Sequence, residues 1–156
     1  MGLLANFLRR GLKKPAPQVL RFLVKRSSGR KACVVEIRND QSFTDLDFAI
    51  RRAFDYDGWD HCSAFFEGVP WRSRCLTKVY PDYSAPGQRK PLSILPFAPG
   101  IKLGYVYDFG DDLQHVISVE DVLPIDPQKE YPAAVLVTPS PASRRKNSSR
   151  GRRKNA

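Results

Sequence analysis

Apolar and polar residues alternate along much of this chain with the period of two that marks a half-buried strand. The clearest case runs from Tyr105 to Glu120. Tyr105, Tyr107 and Phe109 alternate with Val106 and Asp108. Beyond Gly110-Asp111-Asp112, the series Leu113, His115, Ile117 and Val119 alternates with Gln114, Ser118 and Glu120. The pattern predicts a hairpin. With Gly110-Asp111-Asp112 as a three-residue loop, Phe109 faces Leu113 and Tyr107 faces His115, and the large apolar groups share one face. Asp108 then lies on the other face beside Gln114. A two-residue Gly110-Asp111 turn would join Asp108 to His115 and split the apolar set. A one-residue slip turns every side chain over, so the first register is expected, with Gly110 supplying a positive φ.

Residues 19–24 and 32–37 read as two further strands, joined by the basic loop Lys25-Arg-Ser-Ser-Gly-Arg-Lys31. The period then changes. Phe43, Leu46, Ala49, Ile50, Ala53 and Phe54 recur at helical spacing, and Ser42 with Asp45 forms a capping-box-like start. Asp47 and Arg51 are an i, i+4 pair expected on the solvent side. Asp55-Tyr-Asp-Gly-Trp-Asp-His61 makes an acidic, aromatic turn, and Ala64-Phe65-Phe66 enters a strand. From Val69 to Pro99 six prolines predict an irregular covering segment, with Trp71 and Tyr80 over the domain and a short helical turn near 92–95. Residues 131–137 add a last strand. The fold class is therefore α+β: a single domain, largely antiparallel, with one main helix on one face of the sheet.

Both ends differ from this middle. Leu3, Leu4, Phe7, Leu8 and Leu12 share one helical face, followed by Lys13 and Lys14 and stopped by Pro15 and Pro17. This predicts a basic arm or short helix over 1–17, docked, frayed, or lying on a membrane surface. Arg9 and Arg10 follow the short apolar run and no small-residue cleavage site is evident, so a secretory signal is not expected. The α+β domain is expected over 18–138 and a disordered basic tail over 139–156, because residues 142–156 hold no apolar side chain larger than alanine.

Charge sharpens this division. The net charge is +10, with 26 Lys and Arg against 16 Asp and Glu. Residues 1–35 hold nine bases and 142–156 hold seven, with no acid in either; residues 36–141 hold the other ten bases and all sixteen acids, a net of −6. An acidic globule with two basic arms is suited to phosphate contact through the arms rather than through the domain. Arg144, Arg145, Lys146, Arg150, Arg152, Arg153 and Lys154 are the residues expected to meet nucleic acid, without reading its sequence. Cys33, Cys62 and Cys75 are odd in number and lack Cys-x-x-Cys spacing, which fits reduced thiols in a cytoplasmic protein. No apolar run approaches the ~18 residues of a membrane span.

The stretch Tyr105-Val-Tyr-Asp-Phe-Gly-Asp-Asp112, followed by Leu-Gln-His and a Val- and Glu-rich strand ending in Leu-Pro, resembles the signature of the plasmid pRi ORF-three-like family. Phe43 to Phe54 and the following Tyr56-Asp-Gly-Trp-Asp-His61 are similar to that family's helix and its aspartate-histidine approach to a strand. The likeness covers about residues 18 to 135. It implies a small α+β domain of plasmid and mobile-element type. Leu113 stands where the family often has Trp, and the acidic, glycine-rich ending is missing after Tyr131-Pro132.

Three function classes follow. The first is a non-catalytic accessory or binding module whose basic arms touch nucleic acid non-specifically, with no cofactor. The second is a metal-dependent enzyme on the Asp/His turns, with Asp60, His61, Asp108, Asp111, Asp112 and His115 as candidate ligands. The third is a scaffold for a partner protein, its tails only solubilising it. Asp and Gly are also what turns require, and neither segment has the close ligand spacing of a dedicated metal site. The first class is therefore the expected one. Asp108-Phe-Gly without a glycine-rich phosphate loop or a His-Arg-Asp excludes a kinase, and no Gly-x-Ser-x-Gly marks a serine nucleophile.

Overall fold

The computed structural model describes residues 16–58 and 60–137. The expected arm over 1–17 therefore lies outside them except for residues 16 and 17, and the expected tail over 139–156 lies wholly outside them.

Seven strands form one antiparallel sheet: β1 (Val19–Arg26), β2 (Ala32–Arg38), β3 (Ser63–Phe66), β4 (Cys75–Val79), β5 (Lys102–Tyr107), β6 (Leu113–Leu123) and β7 (Ala133–Val137). Their order across the sheet is β4-β3-β5-β6-β1-β2-β7. The helix α1 (Phe43–Phe54) touches β2 and β7 near one edge and β4 at the other, so the sheet curls around it. This is the expected α+β class with one helix on one face.

The helix forms where the pattern placed it. Ser42 Oγ accepts from the Asp45 backbone N–H at 3.2 Å, and the Asp45 carboxylate accepts from the Ser42 N–H at 2.8 Å, a complete capping box. Asp55, in the left-handed region with φ 56°, ends it. Phe43, Leu46, Ile50 and Phe54 are buried against the sheet, each burial contributing roughly 1.5–3 kcal/mol. On the sheet, the alternating Leu20, Phe22 and Val24 of β1, Cys33, Val35 and Ile37 of β2, and Ile117 and Val119 of β6 complete this core.

The central hairpin is correct in face but not in register. Tyr105 pairs with His115 and Tyr107 with Leu113, so Tyr107 does not face His115. The connection spans Asp108 to Asp112, and the two aspartates at its ends take the left-handed conformation (φ 57° and 51°), not Gly110. Asp108 makes this possible by capping the turn: its Oδ1 accepts from the N–H of Gly110 at 3.0 Å and of Asp111 at 3.4 Å. Phe109 consequently crosses to the far side of the sheet and packs on Ala64, Phe66 and Val106.

The proline-rich segment hides a strand. β4 lies at the sheet edge, where a short strand between turns needs only one neighbour. The expected helical turn is a 3₁₀ turn over Leu92–Ile94. Gln88 pins the segment down: its amide side chain accepts from the N–H of Tyr80 and of Ala85 and donates to Thr44 Oγ1 and the Tyr80 carbonyl. Trp71 packs on Phe66 and Phe109 while remaining 48% exposed.

Candidate functional site

Polar groups from α1, β3, β5 and β6 converge beneath the second half of the helix. Asp47 is fully buried. Its carboxylate accepts hydrogen bonds from Ser63 Oγ and, at 2.7 Å, from the Tyr105 hydroxyl. One turn along the helix, Arg51 Nε meets the same carboxylate at 2.8 Å. Arg51 also donates to the His61 carbonyl at 2.9 Å and to Ser63 Oγ at 3.0 Å, and its guanidinium lies 4.9 Å from the centre of the Tyr107 ring. The Asp47–Arg51 pair is thus not on the solvent side, as its spacing suggested. Ser63 and Tyr105 supply donors from the sheet, and these let a charged pair sit inside.

Burial pushes the Asp47 carboxyl above its ordinary value, against the pull of Arg51, Ser63 and Tyr105. Burial, reinforced by Asp47, raises the Tyr105 phenol well above its usual range, so it remains a donor.

A second group adjoins the first. Tyr56 stacks between Phe54 and Tyr107, with ring centres 5.4 and 4.5 Å away. Its hydroxyl is hydrogen-bonded to His115 Nε2 at 2.6 Å. Burial pushes the Tyr56 phenol up to about 12 and the fully buried His115 imidazole down to about 4. His115 is therefore neutral at neutral pH, and its Nε2 is occupied by Tyr56. Tyr107 closes the group by donating from its hydroxyl to the Asp57 carbonyl.

Of the candidate metal ligands, His61 lies beside Asp60 and Asp108, while the others are engaged elsewhere or exposed. His61 Nδ1 lies 3.4 Å from Asp108 Oδ2 and His61 Nε2 lies 3.9 Å from Asp60 Oδ1. Asp111 is exposed on the loop. Asp112 accepts from Trp71 Nε1 at 2.7 Å and from the Gln114 amide at 3.0 Å. His115 is sealed in the aromatic group, away from Asp108. Among the described residues no three His, Cys, Asp or Glu side chains are placed to hold a metal ion together. Cys33, Cys62 and Cys75 are free thiols.

Asp47, Arg51, Ser63, Tyr105 and Tyr56 are the residues that sequence reasoning did not single out. One signal was available: Asp47 follows Phe43 by four positions and precedes Ile50 by three, which is core spacing on a helix. A hollow of about 310 Å³ beside the helix C-terminus is lined by Arg51, Arg52, Asp55, Tyr56 and Asp57. Arg51 is already engaged there by Asp47 and Ser63.

A different region gathers positive charge. The β1–β2 hairpin carries Lys25, Arg26, Arg30 and Lys31, and β7 ends beside its loop, with Val137 opposite Ala32. Between them lies an open groove of about 450 Å³. Arg26 is opposite His115 in the sheet and has its Nε buried; Lys25, Arg30 and Lys31 are exposed. The seven tail bases from Arg144 to Lys154 lie outside the described residues. By sequence they begin seven positions beyond Val137.

Similarity to known proteins agrees with this architecture. No curated protein sequence matches the chain. A crystal structure of a protein of unknown function from Methanosarcina mazei Go1 superposes with a TM-score of 0.59 at 22% identity, covering 79% of this chain and 71% of that one. At that identity the likeness establishes the fold alone. The family model described as "Plasmid pRiA4b ORF-3-like protein" matches residues 30–138, which takes in α1, the hairpin aspartates and β7. The chain belongs to the plasmid pRiA4b ORF-3-like family.

Proposed function

We propose that this chain is a non-catalytic accessory module that holds nucleic acid through phosphate contacts at one basic pole. The observation that carries this reading is the pairing of Ala32 with Val137. It brings the end of β7 beside the hairpin end that bears Lys25, Arg26, Arg30 and Lys31. By sequence the seven bases from Arg144 to Lys154 begin seven positions further on, so in this reading both runs of positive charge serve one end of the sheet. Residues 36–141 carry a net −6 and repel phosphate elsewhere. The central polar groups support the same reading from the other side. Asp47, Arg51, Ser63 and Tyr105 satisfy one another, and His115 is neutral and hydrogen-bonded, which is how polar groups are held for structure.

Phosphate contacts position a protein without specifying sequence. Anisotropy titrations against duplexes of unrelated sequence should therefore give similar affinities. Replacing Lys25, Arg30 and Lys31 together by Ser should weaken all of them alike. A strong preference for one sequence, or affinities unchanged by the triple substitution, would argue against the basic pole.

A further inference from the structure

β7 is an edge strand of unusual composition. Its five residues, Ala133-Ala-Val-Leu-Val137, contain no charge and no proline. Edge strands in stable monomers are normally blunted by lysine, proline or a covering segment, because their free backbone groups otherwise recruit another strand. Among the described residues, β7 pairs only with β2. Val135 is 67% exposed, Leu136 50% and Val137 43%, and among the described residues they are the run of consecutive large apolar side chains left open to solvent.

We infer that two copies of this chain pair edge to edge through β7, antiparallel and centred on Val135. The strand is self-complementary in that register. Val135 meets Val135 of the partner subunit, Leu136 meets Ala134 of the partner subunit, and Val137 meets Ala133 of the partner subunit. Each off-centre pair sets a large side chain against an alanine, and directly opposed residues share a face of the sheet. On one face Leu136 then extends the core side, where Ala134 already packs; on the other, Val135 and Val137 continue the row begun by Val34 and Ala32.

Symmetry and charge both select the antiparallel arrangement. Antiparallel pairing about a two-fold axis gives both copies the same backbone partners. It also sets the hairpin end with Lys25, Arg30 and Lys31, at the Val137 end of β7, away from the same hairpin end of the other copy. A parallel pairing would bring the two hairpin ends together and oppose like charges. The occupant that fits an uncharged, self-complementary edge is a second copy.

Sedimentation equilibrium of the full chain over a range of concentrations tests this directly, because the expected species is a dimer in reversible exchange. Val135→Lys places two like charges directly opposite one another and should weaken dimerisation by on the order of 10-fold or more. Val135→Glu should do the same. An equimolar mixture of the two variants should restore the dimer, which misfolding of either could not do. At concentrations low enough to dissociate the wild-type dimer, thermal midpoints should match, since Val135 is mostly exposed in the single chain. A wild-type chain that stays monomeric throughout overturns the proposal, as does a dimer that survives both substitutions. A monomer whose β7 amides lose protection from hydrogen exchange only when residues 138–156 are removed also overturns it, by showing that the tail covers the edge.

Discussion

Asp47 and Arg51, one helical turn apart on α1, meet at 2.8 Å on the sheet side of the helix, and Asp47 has no exposed surface. This pair organises the polar centre of the domain, because Ser63 and Tyr105 both direct their hydroxyls at the same carboxylate.

Breaking the pair should be costly. Asp47→Ala would leave the buried Arg51 charge without its partner and remove the acceptor for two hydroxyls, a loss of about 3–5 kcal/mol. Ser63→Ala removes one donor and should cost only about 1–3 kcal/mol. Urea denaturation of the two variants checks the order. Equal and small effects from both would mean that the centre is not organised by this carboxylate.

His115 makes stability depend on pH. Its folded value is about 4 against an ordinary 6.5, because burial opposes the charged imidazole. Between those values the unfolded chain binds more protons, so the stabilisation is complete above about pH 6.5 and is lost as pH falls through about 4. The full effect is on the order of 3 kcal/mol. Denaturant midpoints measured from pH 7 to pH 4 should fall accordingly, and His115→Gln should flatten that part of the profile. A wild-type profile that is level over this range would contradict a buried neutral imidazole.

Two glycines should respond to alanine by very different amounts. At Gly104 a Cβ would sit 2.2 Å from the Gly68 carbonyl oxygen and 2.7 Å from Pro70, where the 67–74 turn lies tight on β5. Gly104→Ala should therefore cost about 1–3 kcal/mol or more, since backbone must move. Gly110 has an ordinary φ, and its Cβ would meet only the Asp108 carboxylate oxygen at 3.3 Å. Gly110→Ala should cost less than about 1 kcal/mol, whereas Asp108→Val, which puts a β-branched residue at φ 57°, should cost about 1–3 kcal/mol. Thermal melts of the three variants rank them, and a Gly110→Ala loss equal to that of Gly104→Ala would contradict the observed loop.

The sequence pattern carried the fold further than the site. Strand alternation and the Ser42–Asp45 cap identified α1 and most strands because those signals are local. The hairpin register differs from the alternation because Phe109 does not continue it: Asp108, at φ 57° and capping its own turn, sends Phe109 to the far side of the sheet, and Gly110 does not supply the positive φ. β4 carries no local signature, because an edge strand tolerates the flanking prolines that a central strand does not. Asp47 and Arg51 were placed in solvent because i, i+4 spacing puts them on one side without saying which. That depends on Ser63 and Tyr105, 16 and 58 residues away in sequence. The position of the β7 end beside the basic hairpin loop likewise depends on β7 pairing with β2, a register no local pattern encodes.

The central claim, phosphate contact at the basic pole, is tested most directly by the salt dependence of binding to a random-sequence duplex. Each phosphate neutralised contributes about −0.9 to the slope of log K against log salt. The full chain should show a steep negative slope. Ending the chain at Val137 should flatten that slope by several units and leave the thermal midpoint nearly unchanged, and replacing Lys25, Arg30 and Lys31 by Ser in the shortened chain should flatten it further. A shortened chain that binds as tightly and as salt-sensitively as the full one would contradict the account, as would a full chain with no affinity for the duplex at low salt.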